Sequence, residues 1–210
     1  MNNRTLIQIF LAITIGSLAA WNFSRSKAGA KMDLQPYEIL GFHSGRLTSE
    51  LLNHDGLIVL VIPDPGEEPD PVMDSQVKAF RKGLEQSGKV KIHVTARIPL
   101  DPRSAMQTGG AMPVQTLSTL FKSKDSKPLV GLVSFMPFPL VEESPAGAAT
   151  EARPKTIVVS ANMPYYPTLL ARKVVDMVII PKPATSEPAH DLSTLSGTNR
   201  FLAEYQVLKP

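Results

Sequence analysis

The 210-residue chain contains no cysteine, which excludes disulfide staples, thiolate metal sites and a cysteine nucleophile. Aromatic residues make up only 6% of it, with a single tryptophan. The formal charge of +3 is scattered in pairs such as Arg81-Lys82 and Arg172-Lys173 instead of being gathered into a patch. A nucleic-acid partner calls for a concentrated basic patch with stacking aromatics, so none is expected. Histidine is scarce, and His43, His54, His93 and His190 share no metal-ligand spacing with one another or with carboxylates, so no metal is assigned. No nucleophile elbow, Walker A loop or dinucleotide fingerprint is present, and no cofactor is expected. Thr108-Gly109-Gly110 ahead of a helix reads as a flexible loop. The acidic pairs Glu67-Glu68 and Glu142-Glu143 sit in proline-rich polar loops with nothing to desolvate and tune them.

Proline is what the chain has in excess: 19 residues, against a usual share of about 5%. Five apolar runs end on it: LIVLVIPDP, VKIHVTARIP, LVGLVSFMP, TIVVSANMP and VVDMVIIP. The first of them, LIVLVI, is a continuous β-branched run of the kind that a strand buried on both faces requires. Helical patterns alternate with them. Asp70-Pro71 supplies an N-cap with proline at the first helical position, Val77, Phe80 and Leu84 follow at helical spacing, and Gly88 marks the stop. A second helix runs from about Pro113 with Val114, Leu117, Leu120 and Phe121 on one side, and a third from Tyr165 to Lys173. Strand–helix alternation predicts a single Rossmann-like α/β domain of three layers, with a mostly parallel five-stranded sheet in the flavodoxin-like order. Proline lacks the amide that would continue a ladder, so these stops line one rim, and open α/β sheets bind ligands at that rim.

The N-terminal stretch LIQIFLAITIGSLAAWNF is an apolar segment interrupted at Gln8, Thr14 and Ser17 and without a polar face. It reads as a membrane anchor built on Leu6, Ile9, Phe10, Ile13, Trp21 and Phe23, or as a secretory signal cleaved after a small-x-small site. Arg25, Lys27 and Lys31 follow it, which by the positive-inside rule places the domain in the cytoplasm. Signal-like features and the missing cysteines favour the extracytoplasmic, periplasmic side, and that reading is adopted. The expected organisation is residues 1–30 as anchor or signal, 31–56 as a connecting region with a short helix bearing Leu47, Leu51 and Leu52, 57–183 as the α/β domain, and 184–210 as a polar tail with a possible edge strand.

Asp64-Pro65-Gly66, the segment DSQVKAFRKGLEQSGKVKIHV with Phe80, Gly83, Leu84 and Gly88, and the run LVGLVSFMPFP together resemble the first lobe of type I periplasmic sugar-binding proteins, over roughly Leu57 to Asn162. The resemblance implies a non-enzymatic protein with a ligand at the rim, where loops supply hydrogen bonds and aromatic stacking. On that basis the candidate ligand-binding residues are Asp64, Asp101, Arg103, Ser134, Asn162, Tyr165 and Tyr166. Each also has a plain structural role open to it: Asp64 and Asp101 as turn residues beside proline, Asn162 as a helix cap. The chain departs from the family in having length for one lobe only. It also carries VEESPAGAATEARP, without helical periodicity, where a crossover helix belongs. The expected function is therefore a membrane-tethered extracytoplasmic binding or accessory subunit, with a membrane contact through the N-terminal helix and a protein partner in a membrane complex. The alternative is a periplasmic protein binding a small, sugar-like solute.

Overall fold

The computed structural model describes residues 32–86, 88–121, 129–141, 153–159, 161–183 and 195–210. The anchor residues Leu6, Ile9, Phe10, Ile13, Trp21 and Phe23 lie outside them, as does most of VEESPAGAATEARP. No helix among the described residues is long and apolar enough to cross a membrane. The described elements all belong to one compact unit, Leu34–Pro210.

In chain order these are α1 (Gln35–Leu52), β1 (Gly56–Asp64), α2 (Pro71–Glu85), β2 (Val90–Pro99), α3 (Pro102–Thr108), α4 (Val114–Leu120), β3 (Leu129–Ser134), β4 (Lys155–Val159), α5 (Tyr166–Ala171), β5 (Met177–Pro181), α6 (Gly197–Glu204) and β6 (Tyr205–Leu208). The sheet order is β2-β1-β3-β4-β5-β6. The first five strands pair in parallel and β6 runs antiparallel to β5. This is the flavodoxin-like order, with the chain tail adding the edge strand. The ladders shift register in two places: Ile58 and Val59 align with Ile92 and Val94, stepping over His93, and Leu57 and Ile58 align with Leu129 and Gly131, stepping over Val130. Each is a bulge that bends its strand and realigns the side chains beyond it.

Alternation along β1 divides the core. Val59 and Val61 join Leu132, Val158, Val178, Leu117 and Leu169 on one face, whereas Ile58, Leu60 and Ile62 join Val133, Ile157, Phe80, Leu84 and Phe201 on the other. Helices α4 and α5 thus cover the first face, and α1, α2 and α6 the second, giving the three layers. Pro99 and Pro181 do close their strands and Pro65 directly follows the last residue of β1, Asp64, but Pro137 and Pro164 lie in loops beyond the ends of β3 and β4.

Helix α2 starts as its sequence dictates, with the Asp70 carboxylate accepting the amides of Val72 and Met73 at 3.0 Å each. Helix α1 is longer than the short helix expected, 18 residues ending at Asn53 in the left-handed region (φ 44). Besides His43 and Leu52, its buried side is made of Gly41, Ser44, Gly45, Thr48 and Ser49, residues that carry little hydrophobic signal. They let α1 lie backbone against backbone on α2. A Cβ at Gly45 would stand 2.2 Å from the Phe80 carbonyl oxygen, and one at Gly83 2.0 Å from that of Phe42.

Two polar assemblies tie the tail and the far edge. The buried His43 ring stacks on Phe201 at 4.7 Å, and Phe201 in turn stacks on Tyr205 at 5.4 Å. Arg200 donates to Gln35 at 2.8 Å and to Glu204 at 2.9 Å, binding α6 to the start of α1. At the amino ends of β4 and β5, Asp176 accepts from Arg153 at 2.9 Å, from Lys155 at 3.2 Å and from the Thr156 amide at 2.8 Å. Arg153 also donates to the Lys173 carbonyl.

Candidate functional site: the rim at the strand ends

The rim is assembled by the loops that leave β1, β2 and β3. After β1, Asp64 accepts the Gly66 amide at 3.2 Å in a tight turn, with Gly66 at φ 72. After β3, the Ser134 hydroxyl accepts the Met136 amide at 3.1 Å and donates to the Met136 carbonyl at 2.8 Å. That closed turn sends Pro137–Leu140 out across the strand ends. Three hydrogen bonds then fix the departing loop. The Met112 amide donates to the Pro137 carbonyl at 3.1 Å, Tyr165 donates its hydroxyl to the Phe138 carbonyl at 2.8 Å, and the Phe138 amide donates to the Tyr166 hydroxyl at 3.4 Å. After β2, the short helix α3 ends in Gly109 and Gly110, both at positive φ, with the Gly110 amide bonded to the Ala105 carbonyl at 2.9 Å.

Between the pinned β3 loop and the β2 loop lies a groove of about 660 Å³. Pro99, Leu100 and Asp101 form one side of it. Ala111 and Met112, both buried, form its floor, and Pro113, Val114 and Gln115 open helix α4 beside them. Pro139, Leu140 and Tyr165 form the opposite side. The surface around it is apolar: Met106 is 89% exposed, Leu140 61% and Val114 46%. Burial, and then the neighbouring Tyr166, push the Tyr165 phenol up to about 12.

Of the residues singled out from sequence, the groove collects Asp101 and Tyr165. Arg103 is exposed on α3, and Asn162 is exposed ahead of α5. Asp64 occupies its own turn after β1. Ser134 is fully buried beneath the rim, with its hydroxyl engaged by Met136. Tyr166 is fully buried in the core, in edge contact with Tyr165 at 5.4 Å. The expectation of two exposed stacking tyrosines is therefore corrected: one lines the groove and the other holds the loop from below. The lining residues that sequence reasoning missed are Thr108, Gln115 and the apolar ones. The signal of the apolar ones was present in the paired units Pro99-Leu100, Met112-Pro113 and Pro139-Leu140, each placing an apolar side chain in a loop stiffened by proline.

A second hollow of about 600 Å³ lies between α1 and α2 beside the start of α6, with Glu38, His43, Lys78 and Lys82 on its walls. It sits on a helical face, away from the strand ends, and its charges are of both signs. Burial first, then Arg46, pushes the His43 imidazole below its ordinary pKa, against a hydrogen bond with the Gly197 backbone. Among the described residues, no three metal-ligating side chains cluster.

No protein-family model matches the chain, and no curated protein does. Solved structures to which it is similar include solute-binding proteins of sugar transport. One is an ABC transporter solute-binding protein from Burkholderia graminis in complex with D-arabinose, 13% identical with a TM-score of 0.45 over 68% of this chain and 46% of that one. Another is a glucose-galactose binding protein from Geobacillus stearothermophilus, 12% identical with a TM-score of 0.45 over 69% and 47%. A third is the periplasmic component of a sugar transport system from Hahella chejuensis, 13% identical with a TM-score of 0.43 over 71% and 50%. The chain spans about half the length of these structures. The likeness extends no further than the fold, which the strand order given above defines independently.

Proposed function

We propose that this chain is a non-enzymatic binding domain that holds a small organic solute in the groove at its strand ends. The observation that carries this reading is the groove itself. Its volume of about 660 Å³ falls within the range of small-molecule sites, roughly 300–1,000 Å³. It is mostly apolar with a few polar groups, as such sites are, and it opens where α/β sheets take ligands. Asp101 is the only Asp, Glu, His, Lys or Arg in its lining among the described residues, so no acid–base pair faces a bound molecule there. The similar structures include a complex with D-arabinose and a glucose-galactose binding protein, which makes sugars part of the first ligand panel. The reading keeps the domain on the extracytoplasmic side, with the apolar segment around Leu6 to Phe23 as its leader or tether.

Thermal unfolding of the full chain with a panel of sugars, amines and short-chain alcohols tests the proposal. A ligand at about a hundred times its Kd stabilises by roughly 2.7 kcal/mol. That shift is expected to vanish in Leu140→Arg, a change at an exposed wall position that leaves the core intact. A panel without any stabilising member, or a shift that survives Leu140→Arg, refutes the groove. A second reading, an accessory subunit that docks a partner protein, is favoured by one observation: Met106, Val114 and Leu140 expose apolar surface around the same groove.

A further inference from the structure

Along the edge strand β2 we infer a docking site for an acidic, extended segment of a partner protein, which joins the sheet as a further strand. This site stands apart from the groove and does not depend on a solute being bound there. β2 is the outermost strand, and among the described residues it pairs with β1 alone. Its ten residues, Val90–Pro99, make an edge of about 33 Å at the usual strand rise. Edge strands are commonly kept very short, because a row of outward amides and carbonyls is a template for pairing. On β2 that template is long.

Charge decides the occupant. From Lys89 to Leu100 the chain carries Lys89, Lys91 and Arg97, all exposed, and no carboxylate. Arg81 adds its cation from α2, where it donates to the Thr95 hydroxyl at 2.9 Å. A second copy laid along the same edge would set these cations against their own kind, which is how charged edges resist self-pairing. A strand bearing carboxylates meets the opposite sign instead. Beside the first half of β2 lies a hollow of about 250 Å³, lined by Arg81, Leu84, Glu85, Val90, Lys91 and Ile92. Leu84 and Val90 are buried there, and Ile92 half-buried. Glu85 is the one acid in that lining among the described residues, against two cations. Strands added to a sheet edge gain affinity from main-chain bonds and selectivity from side-chain pockets. The hollow takes an aliphatic side chain of the incoming strand, and Val94, 41% exposed, offers apolar contact further along. The segment that fits therefore alternates acidic and aliphatic residues.

A labelled eight-residue peptide alternating glutamate and valine tests this by fluorescence anisotropy on the full-length protein at low salt. Exposed ion pairs are worth up to about fivefold each. The acidic peptide is expected to bind about tenfold tighter than its glutamine–valine counterpart, with the lysine–valine peptide weakest. Lys91→Glu combined with Arg97→Glu, both at exposed positions, is expected to invert that ranking. Strand addition is read separately from charge by two further peptides, N-methylated at every glutamate or at every valine. An added strand turns only one of these sets of amides towards β2, so one methylated form is expected to lose at least about tenfold in affinity and the other to bind nearly as the parent does. No binding of the acidic peptide, a ranking unmoved by the charge reversal, or equal behaviour of the two methylated forms overturns the inference. A wild type that sediments as a dimer dissociated by Val94→Arg assigns the edge to a second copy and overturns it too.

Discussion

Alanine at position 45 is a small change whose effect on this fold can be worked out in advance. Gly45 lies on the face of α1 that meets α2, and an added Cβ would stand 2.2 Å from the Phe80 carbonyl oxygen and 2.8 Å from the Leu84 amide nitrogen. Carbon and carbonyl oxygen ordinarily approach to about 3.3 Å, so the helices must part by roughly 1 Å. Neither obstacle is a side-chain end that could swing aside. Both belong to the backbone of α2, whose Phe80 and Leu84 are locked in the core. Overpacking of this kind costs about 1–3 kcal/mol, and a rigid backbone places the case at the upper end. Alanine in a helix interior returns about 1 kcal/mol of propensity, leaving a net loss of about 1–2 kcal/mol. Urea unfolding followed by circular dichroism measures it, with an unchanged slope showing that the same surface is exposed. Gly197→Ala serves as the control, because nothing stands within 4 Å of that Cβ; there only the propensity gain operates. If Gly45→Ala proves as stable as the wild type, the close seam between α1 and α2 is refuted.

Three further outcomes are expected. Asp176→Ala strands the buried Arg153 guanidinium, whose side chain is 3% exposed, and is expected to cost about 3–5 kcal/mol in the same unfolding assay; replacing Arg153 by methionine in the same molecule should recover part of the loss, and no recovery would count against the pairing. The His43 pKa is lower folded than unfolded, so the unfolded chain binds the extra proton. The contribution is complete above about pH 6.5 and is lost as pH falls through the folded value. Melting temperature is therefore expected to drop on acidification more in the wild type than in His43→Gln, and parallel pH profiles would contradict it. Tyr165, held neutral up to about 12, contributes stability that is complete below about pH 10 and is lost as pH rises towards that value. Its replacement by phenylalanine removes the bond to Phe138 at about 1 kcal/mol and should delete one late-titrating phenol from an ultraviolet titration.

The sheet was legible because its strands are continuous apolar runs punctuated by proline, and because Asp70-Pro71 announces α2 in so many letters. The face of α1 turned to α2 escaped notice for a physical reason: Leu47, Leu51 and Leu52 marked the end of the helix, but the part that packs by backbone proximity hides glycine, serine and threonine, which leave no apolar signal to read. Helix α6 was missed similarly, since GTNRFLAE anchors itself through Phe201 and Arg200 alone. Of the residues that line the groove at the strand ends, two, Asp101 and Tyr165, had been singled out from sequence. Tyr166 could not be separated from Tyr165 without the structure, because neighbours at the start of a helix point about 100° apart, one to the groove and one to the core. Ser134 resembled a ligand contact for the reason that makes it a turn residue: its hydroxyl binds the nearest backbone groups first.

The hydrogen bond from Met112 to Pro137 joins the two loops that flank the groove, and this bears on how fast a solute comes and goes. Walls tethered to each other at the floor already stand at their working separation, so a solute arriving at the rim has no ordering step to wait for. Its arrival is then governed by diffusion and by the charge of Asp101 at the edge, and differences in affinity between related solutes fall in how long each stays. On the proposed solute-binding reading, such a groove fills and empties without waiting for its walls to assemble.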